Sequence, residues 1–123
     1  MDDAASAIVI ELVKCLVEQV RQLDEDWGRA FYRFIWAPLR YGANASYESG
    51  EIVNLIGAVK CGAFYDSMNE KGRRLADALG KSQGLFLIAV TDRLEYEIKF
   101  EWTDMDRWKI SKLDGLTGIP QGL

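Results

Sequence analysis

The nine residues from Leu94 to Trp102 alternate apolar and charged without a break: Leu-Glu-Tyr-Glu-Ile-Lys-Phe-Glu-Trp. A period of two belongs to a strand, because successive side chains leave it on opposite faces. The pattern therefore predicts a strand that buries Leu94, Tyr96, Ile98, Phe100 and Trp102 and turns Glu95, Glu97, Lys99 and Glu101 to water. Just before it, Leu85 to Thr91 is a near-continuous apolar run of strand length, and Thr91-Asp92-Arg93 reads as the turn between the two. The chain thus contains a hairpin with one apolar and one acidic face.

The other elements follow from the same periodicities. Val9, Leu12, Val13, Leu16, Val20 and Leu23 recur at three- and four-residue steps, which predicts a helix over 4–23 with Asp2, Asp3 and Ser6 as capping oxygens. It stops at Asp24-Glu25-Asp26. From Trp27 the chain becomes aromatic and β-branched, with Ala30, Tyr32, Phe34 and Trp36 on one side and Arg29, Phe31, Arg33 and Ile35 on the other, until Pro38 ends the strand. Weaker strands over 41–48 and 51–59 flank a Ser49-Gly50 turn. A second helix spans 64–79, with Gly80 as its left-handed stop, and Gly72 at its centre is expected to weaken it by about 1 kcal/mol relative to Ala. Residues 104–112 read as a short helical turn and 110–123 as an irregular tail, poorly ordered unless docked. The fold class expected is α+β: a single domain over 1–123, an antiparallel sheet with helices packed on one face, in the order α-β-β-β-α-β-β.

A chain of 123 residues, almost half of them apolar, can form its own core. Its formal net charge of -4 is the wrong sign for gripping nucleic acid phosphates and suits a cationic protein partner. The apolar run from Ile8 to Val20 is broken by Glu11, Lys14 and Glu18, and the first residues are acidic, so neither a membrane span nor an export signal is expected. Cys15 and Cys61 lie far apart with no C-x-x-C and no histidine to complete a zinc set, which suits a reducing, cytoplasmic setting.

The absence of histidine excludes Ser-His-Asp, Cys-His and His-ligated metal chemistry. The glycines match no phosphate loop, and Lys71-Gly72-Arg73-Arg74 reads as the solvent side of a helix. Asp92, Asp104 and Asp106 lack the glycine and glutamate of a calcium loop. Carboxylates alone remain, and exposed strand glutamates are ordinarily just solvated, so no enzyme, no metal and no cofactor is expected. The legible surface chemistry is a negative patch for a protein partner. Glu95, Glu97 and Glu101 form its centre, with Asp104, Asp106 and Trp108 as its border and Arg29 and Arg33 as orienting charges. Trp27 and Trp108 stand at element borders beside acids, where a half-exposed indole would anchor a partner.

The amphipathic first helix, the acidic stop and Trp of Asp24-Glu25-Asp26-Trp27, and the unit from Leu87 to Asp104 with its aromatic and acidic ending resemble the YezG-like antitoxin and immunity proteins of bacteria. That resemblance implies an α/β immunity protein that neutralises the C-terminal domain of a polymorphic or contact-dependent secreted toxin, commonly a nuclease. The layout is also similar to that of acidic secretion chaperones, which hold an effector segment, so this alternative stands beside the first. A small carboxylate enzyme is the third reading. The toxin's identity and the oligomeric state stay open at this stage.

Overall fold

A computed structural model describes residues 1–123. The elements are α1 (Asp3–Leu23), β1 (Trp27–Ala37), β2 (Arg40–Ser49), β3 (Ile52–Leu55), α2 (Gly62–Leu79), β4 (Gly84–Thr91), β5 (Tyr96–Glu101) and a short 3-10 turn at Leu113–Gly115. The five strands form one antiparallel sheet in the order β3-β2-β1-β4-β5, so the α-β-β-β-α-β-β order and the α+β class are both present. No helix is long and apolar enough to cross a membrane.

Both helices lie on one face of the sheet. Asp2 caps α1 by accepting from the Ala5 N–H at 2.8 Å, and the stripe Ile8, Leu12, Leu16 and Val20 then packs onto Ala30, Tyr32, Phe34 and Trp36 of β1 and Phe86, Ile88 and Val90 of β4. The polar tips within this core are satisfied. Tyr32 Oη donates to Asn69 Oδ1 at 2.7 Å, Tyr65 Oη donates to the Ile56 carbonyl at 2.6 Å, and burial pushes the Tyr65 hydroxyl up to about 12. Cys15 and Cys61 are free thiols, half-buried, with Cys15 Sγ 3.8 Å from Ser67 Oγ and Cys61 Sγ 3.7 Å from Gln19 Nε2.

The other face is covered as well, and this corrects the tail expectation. Residues 102–123 leave β5, cross beneath the sheet and seat Trp108 and Ile110 on Phe31, Leu85 and Leu87, with Met105 and Ile119 packed around them. Ser46 Oγ, fully buried, donates to the Gly118 carbonyl at 2.7 Å, and the main chain closes through Gly118 N to Ser111 O and Gln121 N to Lys109 O, both 2.9 Å. Burial on both faces explains why β4 is apolar without alternation. In place of the expected helical turn over 104–112 there is a tight turn at 105–108 and the 3-10 turn further on.

Two strands are shorter than expected. β3 ends at Leu55, opposite Ser46; Ile56 N–H still donates to Ala45 O at 2.9 Å, and the chain then turns away towards α2. β5 begins at Tyr96, since Leu94 takes a positive φ of 66° and Glu95 is still in the turn. As an edge strand it buries its apolar side incompletely: Ile98 and Phe100 are half-buried, while Leu94 (52%), Tyr96 (46%) and Trp102 (36%) are exposed.

Candidate functional site

The end of the sheet where β1 begins and β4 meets β5 is built from two turns held side by side. In the first, Asp24 Oδ1 accepts from the Asp26 N–H at 2.9 Å and Ser49 Oγ donates to the Asp26 carbonyl at 3.3 Å. In the second, Thr91 N–H donates to Glu95 O and Leu94 N–H to Thr91 O, both at 2.9 Å, and Thr91 Oγ1 accepts from Glu95 N at 3.3 Å. A bond from Asp92 N–H to Gly28 O at 2.8 Å ties the second turn to the start of β1. Glu25, Asp26 and Asp92 thereby border one open hollow with Arg21 and Trp27. None of these three carboxylates has an ion-pair partner, and neither has Glu95 beside them.

Glu95 also borders a second hollow of about 440 Å³ on the sheet face away from the helices, walled by Arg29, Phe31, Tyr96, Glu97, Lys99 and Leu123. Arg29 lies over the Phe31 ring at 5.2 Å and is bound by both oxygens of Glu48, with Nη2 to Oε2 at 3.0 Å. Glu97 and Lys99 pair loosely at 3.7 Å. Of the residues singled out from the sequence, Arg29, Glu95 and Glu97 therefore share one amphipathic groove.

The remaining ones are placed differently. Glu101 is not a free acid: Oε1 accepts from Arg107 Nη1 at 2.7 Å, and Oε2 accepts from the main-chain N–H groups of Thr103 and Asp104, each at 3.2 Å, and from Thr103 Oγ1 at 3.1 Å. Arg107 first, then those N–H groups, hold its carboxyl down at about 2. Glu101 is the staple of the turn that sends the chain under the sheet.

Arg33, expected as an orienting surface charge, is buried beneath that turn. Its Nε donates to Arg107 O at 2.8 Å and its Nη2 to Met105 O at 2.6 Å. Desolvation lowers its affinity for the proton, and Asp106 and Asp104 work against that lowering. These two aspartates are exposed, and Asp106 Oδ1 meets Lys109 Nζ at 3.3 Å. Trp108, expected as a half-exposed anchor, is buried in the second core with Arg107 lying over its ring at 4.4 Å. Trp27 is buried too, beneath the acidic turn rather than on it.

Sequence reasoning missed Arg107 and the pairing of the two acidic turns. No periodic signal marks Arg107, and it is the pairing of β1 with β4, continued by the Asp92 to Gly28 bond, that brings Asp92 alongside Glu25 and Asp26. No three side chains of the His, Cys, Asp or Glu type converge in a metal-binding arrangement. No protein-family model matches the sequence, and no curated protein matches it.

Proposed function

We propose that this chain is an immunity protein that neutralises a cationic toxin domain, a nuclease in the first instance, by occupying its substrate-binding surface. The carrying observation is the set of four unpaired carboxylates, Glu25, Asp26, Asp92 and Glu95, at one end of the sheet beside an amphipathic groove. Carboxylates that serve a fold are paired or accept hydrogen bonds, as Glu101 does, whereas these leave their field directed outward. Nuclease clefts are basic because they bind phosphates. A surface of opposite sign associates with them quickly and excludes the nucleic acid by competition. The resemblance in layout of most of residues 5–108 to YezG-like immunity proteins supports the same reading, and the groove of about 440 Å³ beside these acids gives a partner side chain a place to seat.

The test is co-expression with the product of the adjacent gene. The expected result is a co-purifying complex, loss of that protein's toxicity, and loss of both on the triple change Asp26→Lys, Asp92→Lys and Glu95→Lys. A folded triple variant that still binds and protects sinks the acidic-end mechanism. Capture of the N-terminal segment of a secreted effector, with no toxicity to relieve, favours the secretion-chaperone reading instead.

A further inference from the structure

β5 is the last strand on its side of the sheet, and its outer edge pairs with no other strand of the chain. The phase of its ladder can be read. Thr91 and Glu95, joined by the 2.9 Å bond, stand in the same register as the pairs Ala89–Glu97, Leu87–Lys99 and Leu85–Glu101. Bonded and non-bonded pairs alternate along an antiparallel ladder, so Glu97, Lys99 and Glu101 direct their main-chain groups to β4. The N–H and C=O groups of Tyr96, Ile98 and Phe100 then point outward.

Natural sheets blunt such an edge with charged side chains, proline, a bulge, an inward charge or a very short strand. The opposite edge, β3, follows that rule at 4 residues. β5 relies on charge alone: it has no proline, its register to β4 is unbroken, and Glu97, Lys99 and Glu101 all lie on the face away from the helices, where opposite signs on a second strand would match rather than repel them. Beside its helix face a hollow of about 290 Å³ lies open between α1 and the edge, walled by Ile10, Val13, Val17, Leu94 and Tyr96. Ile10 is 44% exposed, an unusual degree for an isoleucine on a helix that otherwise buries its apolar stripe.

We propose that β5 pairs antiparallel with β5 of a second copy of this chain, across a two-fold axis at Ile98. The sequence is complementary to itself in that register. Ile98 meets Ile98, Tyr96 meets Phe100 on the helix face, and Glu97 meets Lys99 on the other face, twice by symmetry. The outward groups of Tyr96, Ile98 and Phe100 exchange about six main-chain hydrogen bonds, and the two sheets become one. Leu94, Tyr96 and Ile10 supply the apolar flank that the monomer leaves in water. A foreign strand would find the same main-chain groups, but the charge complement of Glu97 and Lys99 is already written into this chain.

Sedimentation equilibrium of the intact protein tests this. The expected species at high micromolar concentration has twice the 13.9 kDa of one chain. Glu97→Lys alone sets lysine against Lys99 at two places, and Lys99→Glu sets glutamate against Glu97. Each is expected to weaken the dimer by about tenfold or more, while the double exchange restores it. Tyr96→Pro, which removes an outward N–H at the first strand residue, is expected to give a folded monomer by circular dichroism. A wild type that stays monomeric throughout, or a dimer indifferent to both single reversals, overturns the proposal. A monomer whose capture of another protein depends on Tyr96 and Ile98 also overturns it, in favour of strand addition by that protein. Sedimentation of the protein alone reads this proposal, whereas toxin binding by the Asp26, Asp92 and Glu95 variants reads the immunity one, so failure of either is distinguishable from failure of the other.

Discussion

Arg33 and Met105, 72 residues apart, are joined by a 2.6 Å bond from the buried guanidinium to a main-chain carbonyl, and a second bond to Arg107 O fixes the same turn. The guanidinium is held by carbonyl dipoles with no directly bonded carboxylate, so its net contribution is the bond energy less a large desolvation cost. Replacing it with Met keeps the volume and loses both charge-assisted bonds, leaving two carbonyls without donors. The expected destabilisation is about 2–4 kcal/mol. Segment 102–123 should become sensitive to proteases before the helices do, and Trp108 fluorescence should shift to the red. Undiminished stability in a denaturant melt would show that the turn is held by its apolar contacts alone.

Gly72 makes a second case in which local propensity and packing disagree. A helix gains about 1 kcal/mol from Gly→Ala in its middle. Here, however, a Cβ would lie 2.9 Å from Phe34 Cδ1 and 3.0 Å from Cε1 and Cγ. Phe34 is fully buried, with Trp36 and Phe86 around it at ring separations of 6.1 and 5.4 Å, so it has nowhere to move. Overpacking of this kind costs about 1–3 kcal/mol. Gly72→Ala should therefore destabilise the domain by up to about 2 kcal/mol net, measured by urea unfolding, and a clearly stabilised variant would mean that α2 can lift from β1.

Those two residues mark what the sequence could and could not reveal. Alternation along β1 separates Tyr32, Phe34 and Trp36 from Phe31, Arg33 and Ile35, and the helical steps of α1 name its buried stripe, so element order and class were legible. What covered the second face was not. The signal was present, since a strand such as β4 with no polar alternation needs cover on both sides, and Phe31 and Ile35 needed burial as well. The covering segment itself has no period, because it is held by single bonds such as Ser46 to Gly118 that no local pattern announces. For the same reason Glu101 and Glu97 look alike in sequence, and only the return of Arg107 separates a structural acid from a solvated one.

That separation predicts a pH signature for Glu101. Its carboxyl is held well below its usual value of 4.5, at about 2 in the folded chain, chiefly by Arg107 and then by the Asp104 and Thr103 N–H groups. A depressed folded value means stability that is complete above about pH 4.5 and is lost as pH falls through about 2. Glu101→Gln keeps an acceptor oxygen but loses the charge. Its melting temperature should lie below wild type at neutral pH, and the gap should close progressively between pH 4.5 and 2. A gap independent of pH would assign the effect to shape rather than charge.

The interface prediction turns on the same contrast between paired and unpaired acids. If Glu25, Asp26, Asp92 and Glu95 draw in a cationic toxin, association should slow steeply as salt rises, because fields at exposed charges are screened within about 8 Å at physiological ionic strength. Reversing Asp26, Asp92 and Glu95 together should lower the association rate by about tenfold or more and leave the melting temperature nearly unchanged, since none of the three has an ion-pair partner to lose. Glu101→Lys should behave in the opposite way, damaging the fold through Arg107 and the 102–108 turn while leaving the field at the far end of β5 largely intact. Surface-plasmon kinetics paired with thermal melts read both effects. Binding lost through Glu101 and kept through the triple variant would move the contact to the Asp104–Asp106 turn and reject the sheet end as the docking surface.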